Sequence, residues 1–237
     1  MAAFPSAQDG RLVSAPQTRV DSPGRGNAPE SPGRGVLADV GRELSLALAR
    51  LLAWRVRRQF RGATSLCVAL GARPAAPGEW CTLGLAAGPG VDWIFDFRKV
   101  LPFANGSVRS IVCSEVFEGI DYTEELPYFF AECRRVLEPG GALRIRCRDG
   151  ARFVRAYCGG DVAGTDELRA LTAEAGLPVA GRTRMELVNA SLRSGLRRSA
   201  IYDQETLESL LRRYGFRTVR PIALPDDSCS VAVEALT

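Results

Sequence analysis

Apolar residues recur at helical spacing from Val36 to Phe60, where Leu37, Val40, Leu44, Leu48, Leu51 and Leu52 form one stripe and Arg50, Arg55, Arg57 and Arg58 crowd the last turns. The stripe predicts an amphipathic helix, and the arginines suit the negative end of its dipole. Downstream the period changes. Short apolar runs predict strands at Ser65–Leu70, Trp80–Leu83, Val91–Phe95, Ser110–Ser114 and Ala142–Cys147, with a helix at Thr123–Leu137 before the last of them. Alternation of this kind predicts an α/β fold on a doubly wound, mostly parallel sheet. Glu138-Pro139-Gly140-Gly141 reads as a helix stop and turn. A short helix is expected at Gly150–Tyr157, a final helix at Asp203–Tyr214 with Gly215 as its C-cap, and a closing antiparallel pair at Arg217–Ile222 and Ser230–Ala235. Between those helices, Gly159–Ser199 is polar and reads as an insertion over the carboxyl edge of the sheet, where substrate contacts usually sit.

Ahead of the first periodic stretch, residues 1–35 are rich in Pro, Gly, Ser and Ala and contain Ser-Pro-Gly-Arg-Gly twice. Such a segment buries too little apolar surface to offset its chain entropy, so a disordered tail is expected, followed by one domain over residues 36–237.

Composition narrows the chemistry. The chain contains no histidine, which excludes Ser-His-Asp and Cys-His catalysis, and its 7 cysteines include no Cys-x-x-Cys pair, so no metal site is expected. Those cysteines read as small buried hydrophobes. Lys99 is the only lysine among 31 basic residues, but a formal net charge of +4 is too small to mark a nucleic-acid surface. Neither nucleic acid nor a membrane is the expected partner, although Trp54 beside Arg55, Arg57 and Arg58 keeps a membrane-surface helix as an alternative. No apolar run approaches the roughly 18 residues that span a bilayer, and no basic stretch leads into an apolar core at the start, so the cytoplasm is the default location.

The text from Val91 onward is more specific. An acid follows a strand (Asp96); then come the loop Leu101-Pro102-Phe103, a strand to Ser114, Glu115, a helix containing Glu132-Cys133-Arg134-Arg135-Val136-Leu137, the Glu-Pro-Gly-Gly turn and another strand. In that order the residues resemble the second half of a class I S-adenosylmethionine (SAM)-dependent methyltransferase domain, with the small type 11 methyltransferases nearest, over about Leu66 to Phe216. The resemblance implies a Rossmann-like fold, SAM as cofactor, and a site built around Ala69, Gly71, Ala72, Gly84, Asp96, Leu101 and Glu115. Asp96 would accept from the adenine amino group, or alternatively cap its strand end. Asp149, Tyr202 and Asp203 are the candidates to orient or deprotonate a small-molecule or saccharide-like acceptor.

The sequence departs from the family pattern at the ligand end. Ala69 replaces the first glycine of the usual turn after the first strand, and Gly84 stands where an acid would bind the ribose hydroxyls. Arg109 and Gly119 replace an aspartate and a histidine of the usual text, and a second expected histidine, before Tyr202-Asp203, is missing. Losing the acid costs about 1.5–3 kcal/mol, and Ala69 adds about 1 kcal/mol if a glycine φ is needed there. Two functions follow as expectations: methyl transfer from SAM, or an inactive methyltransferase-like scaffold serving a protein partner.

Overall fold

A computed structural model describes residues 53–71, 80–98, 100–159, 162–174, 179–193, 200–224 and 230–237. The N-terminal tail and most of the stripe beginning at Val36 lie outside the described residues; helix α1 is described over 53–59. A seven-stranded sheet follows, comprising β1 (Leu66–Gly71), β2 (Trp80–Gly84), β3 (Trp93–Ile94), β4 (Val108–Ser114), β5 (Leu137–Arg148), β6 (Thr218–Pro221) and β7 (Ser230–Leu236). The strand order is β3-β2-β1-β4-β5-β7-β6. Strands β1 to β5 run parallel, and β7 is antiparallel to both β5 and β6. The doubly wound, mostly parallel sheet and its closing antiparallel pair are therefore as expected from the pattern.

Register fixes two very different faces. Val68, Ile111, Leu143 and Ala235 lie in one row across β1, β4, β5 and β7, and Leu70, Cys113, Ile145 and Val233 in the next. All eight are buried, under α2 (Leu126–Val136) and α6 (Gln204–Arg213), which contribute Phe129, Phe130, Cys133, Leu207 and Leu211 to the same core. The other face carries the row Ala69, Val112, Arg144, Glu234 and Arg220. Strand β5 shows this in its sequence, since Leu143, Ile145 and Cys147 are buried while Arg144, Arg146 and Arg148 alternate with them.

That alternation is unusual for a parallel sheet, which is normally apolar on both faces because helices cover both.

Three boundaries differ from the expectations. The third strand is reduced to Trp93–Ile94, and the helix expected from Thr123 starts at Leu126, with Pro127 in its first turn and Asp121 bonding the N–H groups of Thr123 and Glu124 ahead of it. The Glu138–Gly141 turn is absorbed into β5: the β4–β5 register runs from Val108↔Leu137 to Ser110↔Ala142, so the extra residues bulge out, with Gly140 at φ 78°. The polar insertion contains helices α4 (Val162–Glu174) and α5 (Arg184–Arg193), which pack with α3 (Gly150–Cys158) around Phe153, Ala156, Leu168 and Leu187. Thr172 joins them by donating to the carbonyls of Leu168 (2.7 Å) and Leu187 (3.3 Å).

Candidate functional site

In an open α/β sheet the ligand crevice lies at the carboxyl ends of the strands, where the order reverses. Here that point is between β1 and β4. Gly71 ends β1 at φ 89°, a conformation that glycine alone adopts cheaply. A Cβ at Gly71 would lie 2.5 Å from the Ser114 carbonyl oxygen and 2.6 Å from Val116 Cγ1, so the two strand ends approach more closely than any side chain allows. Glu115, on the β4 side, is exposed and also left-handed, at φ 63°, with its N–H donating to the Arg146 carbonyl at 3.2 Å. Gly71 and Glu115 are thus brought together at the switch point. Ala72 lies outside the described residues.

The remaining cofactor candidates sit differently. Ala69 is fully buried in mid-strand between Thr82 and Val112, and it is not among the left-handed residues. The glycine conformation expected there is not required, so Ala69 carries no backbone penalty. Gly84 ends β2 as expected, but a Cβ on it would lie 2.9 Å from both Val91 methyl groups and 3.0 Å from the Ala86 carbonyl. The place of the ribose acid is filled by Val91.

Asp96 is 6% exposed and accepts a forked pair from its neighbour, Arg98 Nε at 2.8 Å and Nη2 at 3.1 Å, with the Arg98 N–H at 3.4 Å. Its carboxylate organises the turn after β3. Leu101 is 1% exposed and belongs to the main core. Its N–H donates to Glu132 Oε2 (2.8 Å), and its carbonyl accepts from Arg135 Nη2 (3.1 Å). Arg135 Nη1 also donates to the Phe103 carbonyl (2.9 Å) and Asn105 Oδ1 (2.8 Å), while its Nε and Nη2 fork onto Glu132 at 2.7 Å. The Arg135 hydrogen bond holds the Glu132 carboxyl below the usual carboxylate range, against the opposing effect of burial. Glu132 and Arg135 therefore clamp the 101–105 loop onto α2, a role signalled in the sequence only by their i, i+3 spacing on a helix.

The acceptor candidates meet further along the same edge. Asp149 caps α3, accepting from the Ala151 N–H (3.0 Å) and from Arg155 Nη2 (3.4 Å). Asp203 caps α6 through the Thr206 N–H at 2.8 Å, and the Thr206 hydrogen bonds lower its pKa. Both line a cavity of about 600 Å3 with Arg155, Glu205 and apolar residues after β6 and at the start of β7. Tyr202 does not join them. Its main chain bridges Asp149 and accepts from the Gly150 N–H (2.7 Å), but its ring is 1% exposed and packs on Phe117 with centroids 4.8 Å apart. Burial raises the phenol pKa, and the hydroxyl has no hydrogen-bond partner among the described residues. A group so placed is a core aromatic rather than an acceptor's base.

A family model described as a methyltransferase domain matches residues 86–145, the span from the β2–β3 connection through most of β5. The strand order β3-β2-β1-β4-β5-β7-β6 agrees with that match. The fold is that of the class I SAM-dependent methyltransferases. Similar solved structures include a SAM-dependent methyltransferase from Aquifex aeolicus, 13% identical with TM-score 0.42, covering 78% of this chain and 88% of that one. One from Thermotoga maritima is 14% identical, with TM-score 0.42 and coverage of 86% and 96%. Another, from Archaeoglobus fulgidus, is 11% identical, with TM-score 0.40 and coverage of 80% and 94%. None of the curated proteins compared with the chain matches it.

Proposed function

We propose that the protein is a SAM-dependent methyltransferase with a weakened cofactor site, acting on a small-molecule or saccharide-like acceptor. The observation that carries this reading is Glu115, a non-glycine residue in the left-handed region, exposed at the switch point opposite Gly71. Such a conformation costs on the order of 1–3 kcal/mol and clusters where function requires it. Gly71 leaves the crevice bare of side chain, and Glu115 offers a carboxylate to the ammonium end of an amino-acid-like ligand. Asp96, at the turn after β3, is on the adenine side, where it accepts from an adenine amino group only beside or in place of Arg98. SAM, when bound, supplies a methyl group on a sulfonium that is already a good leaving group.

The fit fails at one point, the ribose, because Gly84 offers no acceptor and Val91 fills its side-chain space. A missing charged acceptor lowers affinity by about 1.5–3 kcal/mol, roughly tenfold to a hundredfold. At the acceptor end the chain contributes orientation. Asp203 uses Oδ1 on Thr206, and a carboxylate has further lone pairs for an acceptor hydroxyl.

Calorimetric titration with SAM and S-adenosylhomocysteine tests the reading. Weak but saturable binding, reduced in Glu115→Gln, is expected. The packing of Val91 against Gly84 favours a second reading, an inactive scaffold serving a protein partner. Absence of binding by either compound at millimolar concentration would favour that scaffold.

A further inference from the structure

At the amino ends of β1, β2, β4 and β5, opposite the methyltransferase crevice, the polar sheet face opens into a cavity of about 1250 Å3. Three arginines line it, Arg109, Arg144 and Arg220, together with Trp80 and Trp93. Glu234 lies beneath them, buried to 6% exposure, and receives Arg144 Nε at 2.6 Å on one oxygen and Arg220 Nε at 2.8 Å on the other. Glu234 thereby fixes both guanidinium planes. Arg144 also donates from Nη1 to Ser110 Oγ (3.0 Å), and Arg109 Nη2 contacts Cys67 Sγ at 3.3 Å.

The two carboxylates on this cavity are already used by the protein, Glu234 by the arginines and Asp92 by the Thr82 N–H at 2.8 Å. The arginines are not exhausted. Arg144 and Arg220 remain 41% and 67% exposed at the side chain although they are bonded, and Arg109 is exposed. Their outer N–H groups therefore face the cavity already oriented, which suits an anion that accepts from more than one guanidinium. Trp80 Nε1 is a further donor, shielded and without an acceptor among the described residues. Half-buried Trp80, whose register partner Cys67 also contacts Arg109, offers a flat surface on which a planar ring stacks.

From this combination we propose that the polar sheet face binds a nucleotide, with its phosphate on Arg109, Arg144 and Arg220 and its base against Trp80. The site lies on the amino side of the proposed cofactor crevice, with Arg144, level with Val112, as its inner wall.

The test is titration of the full chain with UMP and GMP, followed by tryptophan fluorescence and calorimetry, with inorganic phosphate and the parent nucleosides as separate arms. S-adenosylhomocysteine is titrated in parallel. At least one nucleotide should bind at submillimolar concentration and quench fluorescence, while phosphate and nucleoside alone bind at least about tenfold more weakly. Arg109→Gln should weaken nucleotide binding by about tenfold and leave S-adenosylhomocysteine binding unchanged. Arg109 makes no contact that holds the sheet apart from Cys67, so this variant should fold; Arg220→Gln, which leaves Arg144 on Glu234, is the second. The proposal is overturned if neither nucleotide binds, if phosphate binds as tightly as a nucleotide, if only a ten-nucleotide single strand binds, or if both folded variants bind like the wild type. Loss of S-adenosylhomocysteine binding alone would count against the methyltransferase reading and not against this site.

Discussion

Placing an acid at Gly84, where the proposed SAM site lacks a ribose contact, should fail unless Val91 is cut back. A Cβ at Gly84 stands 2.9 Å from both Val91 methyl groups, closer than real Cβ contacts come, and a β-branched side chain with a stiff χ1 cannot turn both methyls away. Overpacking of this kind costs about 1–3 kcal/mol. Gly84→Asp alone should therefore lower Tm by roughly 2–4 °C per kcal/mol lost and gain little affinity. Val91→Ala alone should cost about 1 kcal/mol, because Val91 is only half-buried. In the Val91→Ala background the collision with the methyls is gone, and only the Ala86 carbonyl at 3.0 Å must give by a few tenths of an ångström. The pair should be coupled by about 1–2 kcal/mol in stability, and the double variant should bind S-adenosylhomocysteine about tenfold to a hundredfold more tightly than the wild type. Thermal melts and calorimetry on the four proteins complete the cycle. Full affinity in stable Gly84→Asp alone would show that Val91 is no obstacle. A folded double variant with unchanged affinity would show that no ribose lies at the end of β2.

Gly71→Ala should abolish or severely impair folding, since it combines φ 89° with a 2.5 Å contact to the Ser114 carbonyl, and circular dichroism of the purified variant checks this. Glu132→Gln should cost about 1–3 kcal/mol by loosening the 101–105 loop. Because Glu132 has a lowered folded pKa, its contribution is present above the unfolded value of 4.5 and disappears as pH falls through the folded one, so the variant's denaturation midpoints should vary less with pH on the acid side. Asp149→Ala and Asp203→Ala should each cost about 1 kcal/mol as lost N-caps, measured by urea denaturation. In the native protein, iodoacetamide followed by mass mapping should label exposed Cys158 and spare buried Cys113, Cys133 and Cys147; burial also pushes the Cys113 and Cys133 thiols up.

The sheet was legible because its strands obey a local period and its turns use Gly and Pro. Alternation in Leu143-Arg144-Ile145-Arg146-Cys147-Arg148 even announces that the two faces of β5 differ, one apolar and one polar. Helix caps were less legible. Asp149 and Asp203 have the residue type and position of N-caps, yet a carboxylate before a helix reads equally as a base. What the sequence did not disclose depends on packing between residues brought together by folding. Val91 closes the space beside Gly84 across a loop, Arg98 occupies Asp96, and Phe117 receives the ring of Tyr202. The cost expected of Ala69 was an error of a different kind, since a motif position was taken to imply a conformation that mid-strand backbone does not have.

The residues that carry the family resemblance mostly hold the fold. Glu132 and Arg135 clamp the loop containing Leu101-Pro102-Phe103, Cys133 fills the core, and Arg134 Nη1 reaches the Tyr214 carbonyl at 3.3 Å, close beside Gly215. At about 3.3 Å per residue, the step along β4 from Arg109 to Ser114 is roughly 16 Å, whereas Arg144, paired with Val112, brings the inner wall of the cavity to about 7 Å from the switch point. Substitutions as far apart as Arg109 and the switch point, with no shared partner, add without coupling. Arg109→Gln and Gly84→Asp should then be independent in every assay, whereas Gly84→Asp and Val91→Ala should not; the contrast measures whether one sheet serves two ligands or only one.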